Sequence, residues 1–232
     1  MPPTGETAQS RAGRPRPAGA TLATMPSHPR EFLPSSEDEA LRYRVKAELR
    51  RRMRGVRKAL PAAACAERSA RIVRRLGMLE PIARARNVAL FWPMEDRHEV
   101  DLRSLDAELR VRGARVAYPA IDPDTGTMTF RFVSHPDTLK EMGSGFFEPA
   151  ATEPEAVAGA LDVILVPALA VDLRGHRIGY GAGHYDAALP QHAQRSASIA
   201  VAFDFQLIAE VPATPRDVRV GWVVTDTRDV RI

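Results

Sequence analysis

Apolar residues recur with helical spacing in the first part of the chain that could fold. The apolar positions that follow Ser36 at three- and four-residue spacing are Leu41, Val45, Leu49, Met53, Val56 and Leu60. This period predicts an amphipathic helix that ends near Pro61, and Ser36 followed by Glu39 is typical of a capping box at its start. A second helix is predicted from Pro61 to about Leu79, and its inward-facing residues are Ile72, Val73, Leu76 and Leu79.

Short β-branched and aromatic runs further along predict strands that alternate with helices. We expect strands at 88–92, 116–118, 128–133, 163–166, 199–203 and 222–225. We expect helices at 101–110 and 206–211, and a brief helical segment that halts near Pro190. Residues 163–166 are continuously apolar, which is typical of a strand covered on both faces, whereas 128–133 alternates like an edge strand. The pattern predicts an α/β fold: a single Rossmann-like domain with a mostly parallel central sheet flanked by helices. Ligands of such folds bind at the carboxyl ends of the strands.

Composition divides the 232 residues into two parts. Residues 1–35 are rich in Pro, Ala, Arg, Gly, Ser and Thr, and they carry too few large apolar groups to offset the entropy of ordering. We therefore expect a disordered extension at 1–35 and one α/β domain at 36–232. The extension lacks an apolar run typical of a secretory signal, and no stretch of the chain is long and apolar enough to predict a membrane span.

Charge and cysteine content narrow the functional classes. Four arginines and one acid in the first 30 residues account for most of the net charge of +4, so a nucleic-acid partner is not expected. The single cysteine, Cys65, excludes an internal disulfide and a cysteine metal cluster, and its position on a helix favours packing over catalysis. We expect a cytoplasmic protein without a membrane partner, and nothing in the sequence demands more than a monomer.

The stretch from Arg174 to Asp186 carries the strongest candidate chemistry. Glycines at 175, 179, 181 and 183 could expose backbone N–H groups to an anion such as phosphate. Arg174 and Arg177 add positive charge, and Asp186 offers a hard oxygen to a magnesium ion that bridges phosphates. The alternative is an ordinary mobile loop in which Asp186 caps the next helix. Upstream, Lys46 and Arg50 lie one helical turn apart and either reach a cleft or form a solvated face.

Two further segments follow strands and could contact a ligand. Met94 and Glu99 lie after the strand at 88–92, although Glu99 could instead complement the charge at a helix N-terminus. The loop 143–149 contains two phenylalanines and Glu148, and it either lines a pocket for a flat ligand or packs under the sheet. The sequence leaves both pairs of alternatives open.

Taken together, these motifs resemble those of the 5-formyltetrahydrofolate cyclo-ligase family. RIGYGAGHYDA at 177–187 resembles the family signature R-L-G-x-G-x-G-Y-Y-D, and KAELR at 46–50 resembles its K-x-x-x-R. HEVDL, FFEP, VPALAVDLRGHRIG and PRDVRVGWVVTD are similar to further family segments in the same order, from about residue 40 to 226. The resemblance implies a fold like that of the NagB/RpiA/CoA-transferase proteins. It also implies an enzyme that uses ATP and Mg²⁺ to cyclise 5-formyltetrahydrofolate to 5,10-methenyltetrahydrofolate, with ADP and phosphate as products.

The resemblance also implies roles for individual residues. Those expected to act in catalysis are Lys46, Arg50, Arg177 and Tyr185. Those expected to bind ATP are Lys46, Arg50, Arg177, Ile178, Gly179, Tyr180, Gly181, Ala182, Gly183, His184 and Tyr185. Those expected to bind the folate are Met94, Glu99, Tyr180, Gly181, Ala182, Gly183 and His184, with Glu99 on the amino-pyrimidine edge. Asp186 and Asp217 are expected to hold Mg²⁺.

The sequence departs from the family pattern at several positions. His184 replaces the first tyrosine of the usual pair, Ala168 replaces a common glycine, and Leu102 and Gly221 replace the usual Thr and Asp. Since histidine titrates near neutral pH, His184 predicts an altered pH dependence. Two alternatives remain: a family member that binds a nucleotide or folate-like ligand without closing the ring, and a sugar-phosphate or CoA-binding α/β protein.

Overall fold

The computed structural model describes residues 36–142, 145–192 and 195–232. The predicted extension at 1–35 and the first residues of the 143–149 loop lie outside them. The helices in the described chain are α1 (Glu37–Lys58), α2 (Ala62–Met78), α3 (Glu80–Arg84), α4 (Arg103–Val111) and α5 (His184–His192). The Ser36 side chain accepts a hydrogen bond from the Glu39 amide, which confirms the predicted start of α1. None of the helices described is long and apolar enough to cross a membrane.

A seven-stranded sheet forms the centre of the described structure. Its strands are β1 (Asn87–Ala89), β2 (Arg115–Ile121), β3 (Met128–Val133), β6 (Val163–Pro167), β9 (Ala197–Val201), β10 (Trp222–Val224) and β11 (Asp229–Arg231). The spatial order is β11-β10-β9-β6-β1-β2-β3, with all pairs parallel except the antiparallel edge pairs β10–β11 and β2–β3. This arrangement confirms the predicted α/β class and the edge position of 128–133.

Two small antiparallel pairs lie beside the main sheet. The first joins β4 (Lys140–Glu141) to β5 (Phe147–Glu148), and the second joins β7 (Ala170–Val171) to β8 (Arg177–Ile178). The turn of the β7–β8 hairpin and strand β8 lie within the stretch from Arg174 to Asp186, for which the sequence offers a loop as one alternative. Gly175 turns this hairpin with φ +85°, and a Cβ at that position would lie 2.5 Å from the Val220 carbonyl oxygen. The turn therefore requires glycine.

The central strand β6 is covered on both faces, as its continuous apolar sequence predicts. Val163 and Leu165 join the core beneath α2 and α4, whereas Ile164 and Val166 join the core on the α5 side. All four side chains are fully buried. Cys65 packs in the first of these cores, which agrees with its expected packing role.

Two element predictions are wrong, and each error has a local cause. The strand β2 does not end at Pro119 but continues to Ile121. Because β1 pairs with β2 only as far as Ala117, no neighbouring strand on that side needs a hydrogen bond from residue 119, and a proline is tolerated there. The helix expected at 206–211 is replaced by a 3₁₀ turn at Asp204–Gln206. The following amides bond outward instead, as in the bond from Ile208 to the Val171 carbonyl.

Candidate active site

Helix α1 turns charged side chains toward the protein interior. Its buried residues are Lys46, Met53 and Arg57, whereas Leu41, Val45 and Val56 of the predicted apolar stripe are 53%, 40% and 40% exposed. The expectation of an apolar inner face is therefore wrong for most of the helix. Leu49 and Met53 pack on a small cluster near the β7–β8 hairpin. The cations on this side of α1 donate hydrogen bonds to a carboxylate, a backbone carbonyl and a tyrosine hydroxyl.

Lys46 forms a buried ion pair with a residue from the far end of the chain. Its Nζ lies 2.5 Å from Asp217 Oδ2, and the two side chains are 5% and 14% exposed. The same oxygen accepts hydrogen bonds from the Thr214 amide at 2.5 Å and the Thr214 hydroxyl at 3.2 Å. The structure thus brings together two residues that the sequence predicts for one site, although they are 171 positions apart.

Arg50 lies directly beneath the glycine-rich loop. Its Nε donates a hydrogen bond to the Gly179 carbonyl at 3.0 Å, and burial lowers the pKa of the guanidinium. Gly181 has φ +118°, and a Cβ there would approach the Arg50 guanidinium at 3.5 Å. Residues 181–183 are exposed and lead into α5 at His184. Exposed glycine amides, a helix N-terminus and an arginine therefore meet at one place, which suits an anionic ligand.

Arg177, which precedes this loop, is bonded to Asp186, which follows it. Its guanidinium donates to Asp186 Oδ1 at 2.9 Å and to the Val218 carbonyl at 2.5 Å, and Asp186 Oδ1 also accepts the Val218 amide at 3.0 Å. Asp186 is therefore next to the segment that carries Asp217. Ile178 of β8 is buried in the same small apolar cluster as Met53 of α1.

The carboxylates Asp186 and Asp217 fit a magnesium ion that is bound mainly by the phosphates of a nucleotide. They do not form a metal site made of protein side chains alone. In the described residues no group of three or more His, Cys, Asp or Glu side chains could hold a metal. The contacts to Asp186 use Oδ1, and those to Asp217 use Oδ2. Each carboxylate thus keeps its second oxygen outside these hydrogen bonds. Because Mg²⁺ usually takes one or two carboxylates together with phosphate oxygens and water, this arrangement is compatible with it.

Glu99, Met94 and Tyr180 form the second half of the site. Glu99 is 7% exposed; its Oε1 accepts the Tyr180 hydroxyl at 2.8 Å and its Oε2 accepts the Met94 amide at 3.1 Å. Burial raises the pKa of Glu99, although the nearby Arg57 guanidinium opposes the rise. Helix α4 begins only at Arg103, so the alternative in which Glu99 complements a helix N-terminus is wrong.

Tyr180 joins the glycine-rich loop to this acidic centre. Burial and the Glu99 carboxylate together raise the pKa of Tyr180 to about 12, so the hydroxyl keeps its proton and donates to Glu99. The Arg97 guanidinium lies 5.0 Å from the centre of the tyrosine ring. The loop that follows Arg177 therefore contacts α1 through Gly179 and the Glu99 region through Tyr180.

The two residues at the start of α5 have different environments. His184 is half-buried, and burial lowers its pKa, which favours the neutral imidazole at pH 7. The Tyr185 hydroxyl is buried without a hydrogen-bond partner among the described residues, and its ring lies 6.2 Å from that of Phe130. Burial raises the pKa of Tyr185, and Glu99 raises it further. The Tyr185 hydroxyl is thus unpaired and lies close enough to Glu99 for the carboxylate charge to raise its pKa.

An open cavity of about 350 Å³ adjoins Met94. Trp92, Met94, Gly145 and Phe147 are among its lining residues, and Phe147 is 45% exposed. For the described part of the 143–149 loop, Phe147 therefore faces a cavity, whereas Glu148 is buried and accepts the Ile121 amide at 2.5 Å. Phe147 thus lies at a cavity and Glu148 lies against strand β2, and binding of a flat ligand in this cavity stays a prediction.

The sequence interpretation missed Arg57. This residue is 3% exposed, and its guanidinium donates a hydrogen bond to the Tyr180 hydroxyl and lies 3.8 Å from Glu99. The positions Lys46, Arg50, Met53 and Arg57 are separated by four, three and four residues, which is the period of one helical face. That period was the available signal, but the many arginines of α1 concealed it.

Comparisons with known proteins identify the family of the chain. A model of the 5-formyltetrahydrofolate cyclo-ligase family matches residues 42–226. The 5-formyltetrahydrofolate cyclo-ligase of Mycolicibacterium smegmatis is 40% identical over 122 residues, which are 51% of this chain and 63% of that protein. The Escherichia coli K12 protein of the same name is 29% identical over 152 residues, which are 64% of this chain and 82% of that protein.

A solved structure has the same fold. The NMR structure of the 5,10-methenyltetrahydrofolate synthetase of Aquifex aeolicus aligns with a TM-score of 0.71 and 27% sequence identity, and the alignment covers 81% of this chain and 92% of that chain. The family match spans all the segments that build the site, from Lys46 on α1 to Asp217 near the carboxyl end. The chain therefore belongs to the 5-formyltetrahydrofolate cyclo-ligase family.

Proposed function

We propose that this protein cyclises 5-formyltetrahydrofolate to 5,10-methenyltetrahydrofolate and converts ATP to ADP and phosphate with Mg²⁺ as the metal. The observation that carries the proposal is the family match over 42–226, which includes every segment that forms the candidate site. We further propose that the protein acts as a cytoplasmic monomer on small-molecule substrates.

The triphosphate is assigned to the side of the site formed by α1 and the glycine-rich loop. Lys46 and Arg50 supply positive charge from below, and the exposed amides of 181–183 supply donors from above. Asp186 and Asp217 are proposed to hold Mg²⁺ through their second carboxylate oxygens. When bound, this ion would neutralise the negative charge of the phosphates during phosphoryl transfer.

The folate is assigned to the side formed by Met94, Glu99 and Tyr180. Its pterin ring would enter beside the cavity lined by Trp92 and Phe147, where aromatic faces can contact a flat ring. Glu99 supplies a buried carboxylate that can accept N–H groups from the amino-pyrimidine edge. Tyr180 lies between the two halves and can contact both substrates.

The reaction follows from the chemistry of the formyl group. Its oxygen is a poor leaving group, so it first attacks the γ-phosphorus of ATP, and the bond to the leaving ADP breaks. N10 of the folate then attacks the activated formyl carbon, N10 loses its proton, and the C–O bond breaks to release phosphate. Lys46, Arg50 and the loop amides would stabilise the charge of phosphoryl transfer and keep the reacting atoms aligned. No covalent bond to the protein is required.

A direct assay tests the proposal. The purified protein is mixed with 5-formyltetrahydrofolate, ATP and Mg²⁺, and the absorbance of the methenyl product is followed together with ADP release. We expect one ADP for each methenyl product and no product when ATP is omitted. Binding of ATP and folate without product would refute the cyclisation and support a family member that binds both ligands without closing the ring.

A further inference from the structure

The most deeply buried arginine of α1 has no assigned role in the site. Arg57 is 3% exposed, and it lies two turns beyond Arg50 on the inner side of the helix. We propose that Arg57 is a positioning residue that holds the Glu99 carboxylate in place and orients the Tyr180 hydroxyl, so that the folate side of the site is formed before substrate binds. This inference rests on the proposed function, because it assigns Glu99 and Tyr180 to the folate.

The contacts of Arg57 converge on these two groups. Its guanidinium donates a hydrogen bond to the Tyr180 hydroxyl, which in turn donates to Glu99 Oε1 at 2.8 Å. The same guanidinium lies 3.8 Å from Glu99 Oε1 and 5.8 Å from the centre of the Tyr180 ring. Arg57 thus contacts both partners of one hydrogen bond and fixes its direction: the hydroxyl accepts from arginine and must donate to the carboxylate.

The backbone beside Glu99 is also attached to Arg57. His98 has φ +47°, a left-handed conformation that is uncommon for a residue with a side chain. Its Nδ1 lies 3.2 Å from the Arg57 carbonyl oxygen, within hydrogen-bond distance. Such conformations persist when surrounding contacts hold them. The main chain and the side chain of Arg57 therefore both help to place Glu99.

The charges around Glu99 come from several elements. Arg57 faces it from α1, Arg97 from the preceding 3₁₀ turn, Tyr180 from the glycine-rich loop, and Tyr185 from α5. Burial is the largest influence on Glu99 and raises its pKa, whereas Arg57 is the strongest opposing charge. Without Arg57, Arg97 would be the remaining cation that favours the carboxylate, so Glu99 would hold its proton to a higher pH.

The experiment compares Arg57→Met with the wild-type protein across pH. We expect the KM for 5-formyltetrahydrofolate to rise severalfold, with little change in the KM for ATP. The acid limb of kcat/KM for the folate should move upward by about one pH unit, because a nearby cation typically shifts the pKa of a carboxylate by about one to three units. Arg57→Lys, which restores a positive charge, should return the limb toward that of the wild type.

Controls separate positioning from a general structural effect. Arg52→Met removes an exposed cation from the same helix and should leave the pH profile unchanged. Arg57→Gln is a second uncharged variant, for use if Arg57→Met does not fold, and should show the same upward shift. An uncharged variant that folds and keeps the wild-type limb would overturn the proposal.

A binding measurement distinguishes this inference from the proposed function. If the wild-type protein makes no methenyl product, the cyclisation is refuted, but the role of Arg57 can still be tested by binding of 5-formyltetrahydrofolate. Trp92 lines the adjoining cavity, so fluorescence quenching reports this binding. The folate affinity of an uncharged Arg57 variant should fall at a higher pH than that of the wild type. Equal pH dependence of binding would refute the inference.

Discussion

The buried pair between Lys46 and Asp217 makes a quantitative prediction about both stability and nucleotide binding. The two side chains are 5% and 14% exposed, so neither can be fully hydrated when its partner is removed. Removing one member of a buried ion pair typically costs about 3–5 kcal/mol. Asp217 keeps hydrogen bonds from Thr214, so we expect Lys46→Met to cost less than this range, about 2–3 kcal/mol.

A double-mutant cycle isolates the pair. Lys46→Met and Asp217→Asn should each lower the free energy of unfolding, but the double variant should lose less than their sum, by about 1.5–3 kcal/mol. Urea denaturation measures each value. Arg44→Met, on the exposed side of the same helix, should change stability by no more than about 0.5 kcal/mol. Additive effects of the two single substitutions would refute the coupling that we derive from the 2.5 Å contact.

The same variants test the nucleotide assignment. A charge-assisted hydrogen bond contributes about 1.5–3 kcal/mol, so Lys46→Met should weaken ATP binding by roughly 10- to 100-fold. Calorimetric titration with ATP and Mg²⁺ measures the loss, and folate binding should change much less. Unchanged ATP affinity in a folded Lys46→Met protein would remove Lys46 from the triphosphate site.

Three further predictions follow from the structure. Gly175→Ala should lower the free energy of unfolding by about 3 kcal/mol, because the added Cβ would meet backbone atoms. Gly126 also has a positive φ but has open space around it, so Gly126→Ala should cost about 1 kcal/mol in the same urea assay. Equal losses would contradict this. Because burial lowers the pKa of His184, the folded protein binds fewer protons there than the unfolded chain, and stability that is present at neutral pH is lost as the pH falls below 6.5. His184→Tyr should reduce that loss, and unfolding curves on either side of pH 6.5 that match those of the wild type would refute the effect. Phe147→Ala should raise the KM for 5-formyltetrahydrofolate by about tenfold with little change in the KM for ATP, because the Phe147 ring is exposed in the cavity assigned to the pterin. Steady-state assays measure both values, and an equal rise in both would show that Phe147 does not contact the pterin.

The hydrophobic pattern predicted the sheet better than it predicted the first helix. Strand β6 was recognisable because four consecutive buried residues need cover on both faces, and the structure supplies it. In α1 the same reasoning failed, because an interior surface of carboxylates, carbonyls and hydroxyls accepts lysine and arginine where a core would take leucine. Local sequence cannot reveal that surface, since the chain forms it mainly from residues beyond 169.

Candidate site residues could be predicted from the sequence where one short motif contains several residue types suited to the same ligand. The glycine-rich loop and Asp186 stand next to each other in sequence, and their type alone suggests phosphate and metal. The partners of these residues were not predictable: that Asp217 would pair with Lys46, or that Tyr180 would donate to Glu99, depends on contacts across 171 and 81 positions. Such pairings depend on the packing of whole elements.

The separation between Lys46 and Asp217 has a consequence for synthesis of the protein. A ribosome produces α1 early, but the carboxylate that neutralises Lys46 follows 171 residues later. Until then the inner side of the helix carries cations without their final partners, and its small apolar contact with the β7–β8 hairpin cannot form. Contacts that span so much chain form late because closing long loops costs entropy. A nascent chain should therefore complete the candidate site only as synthesis nears its end.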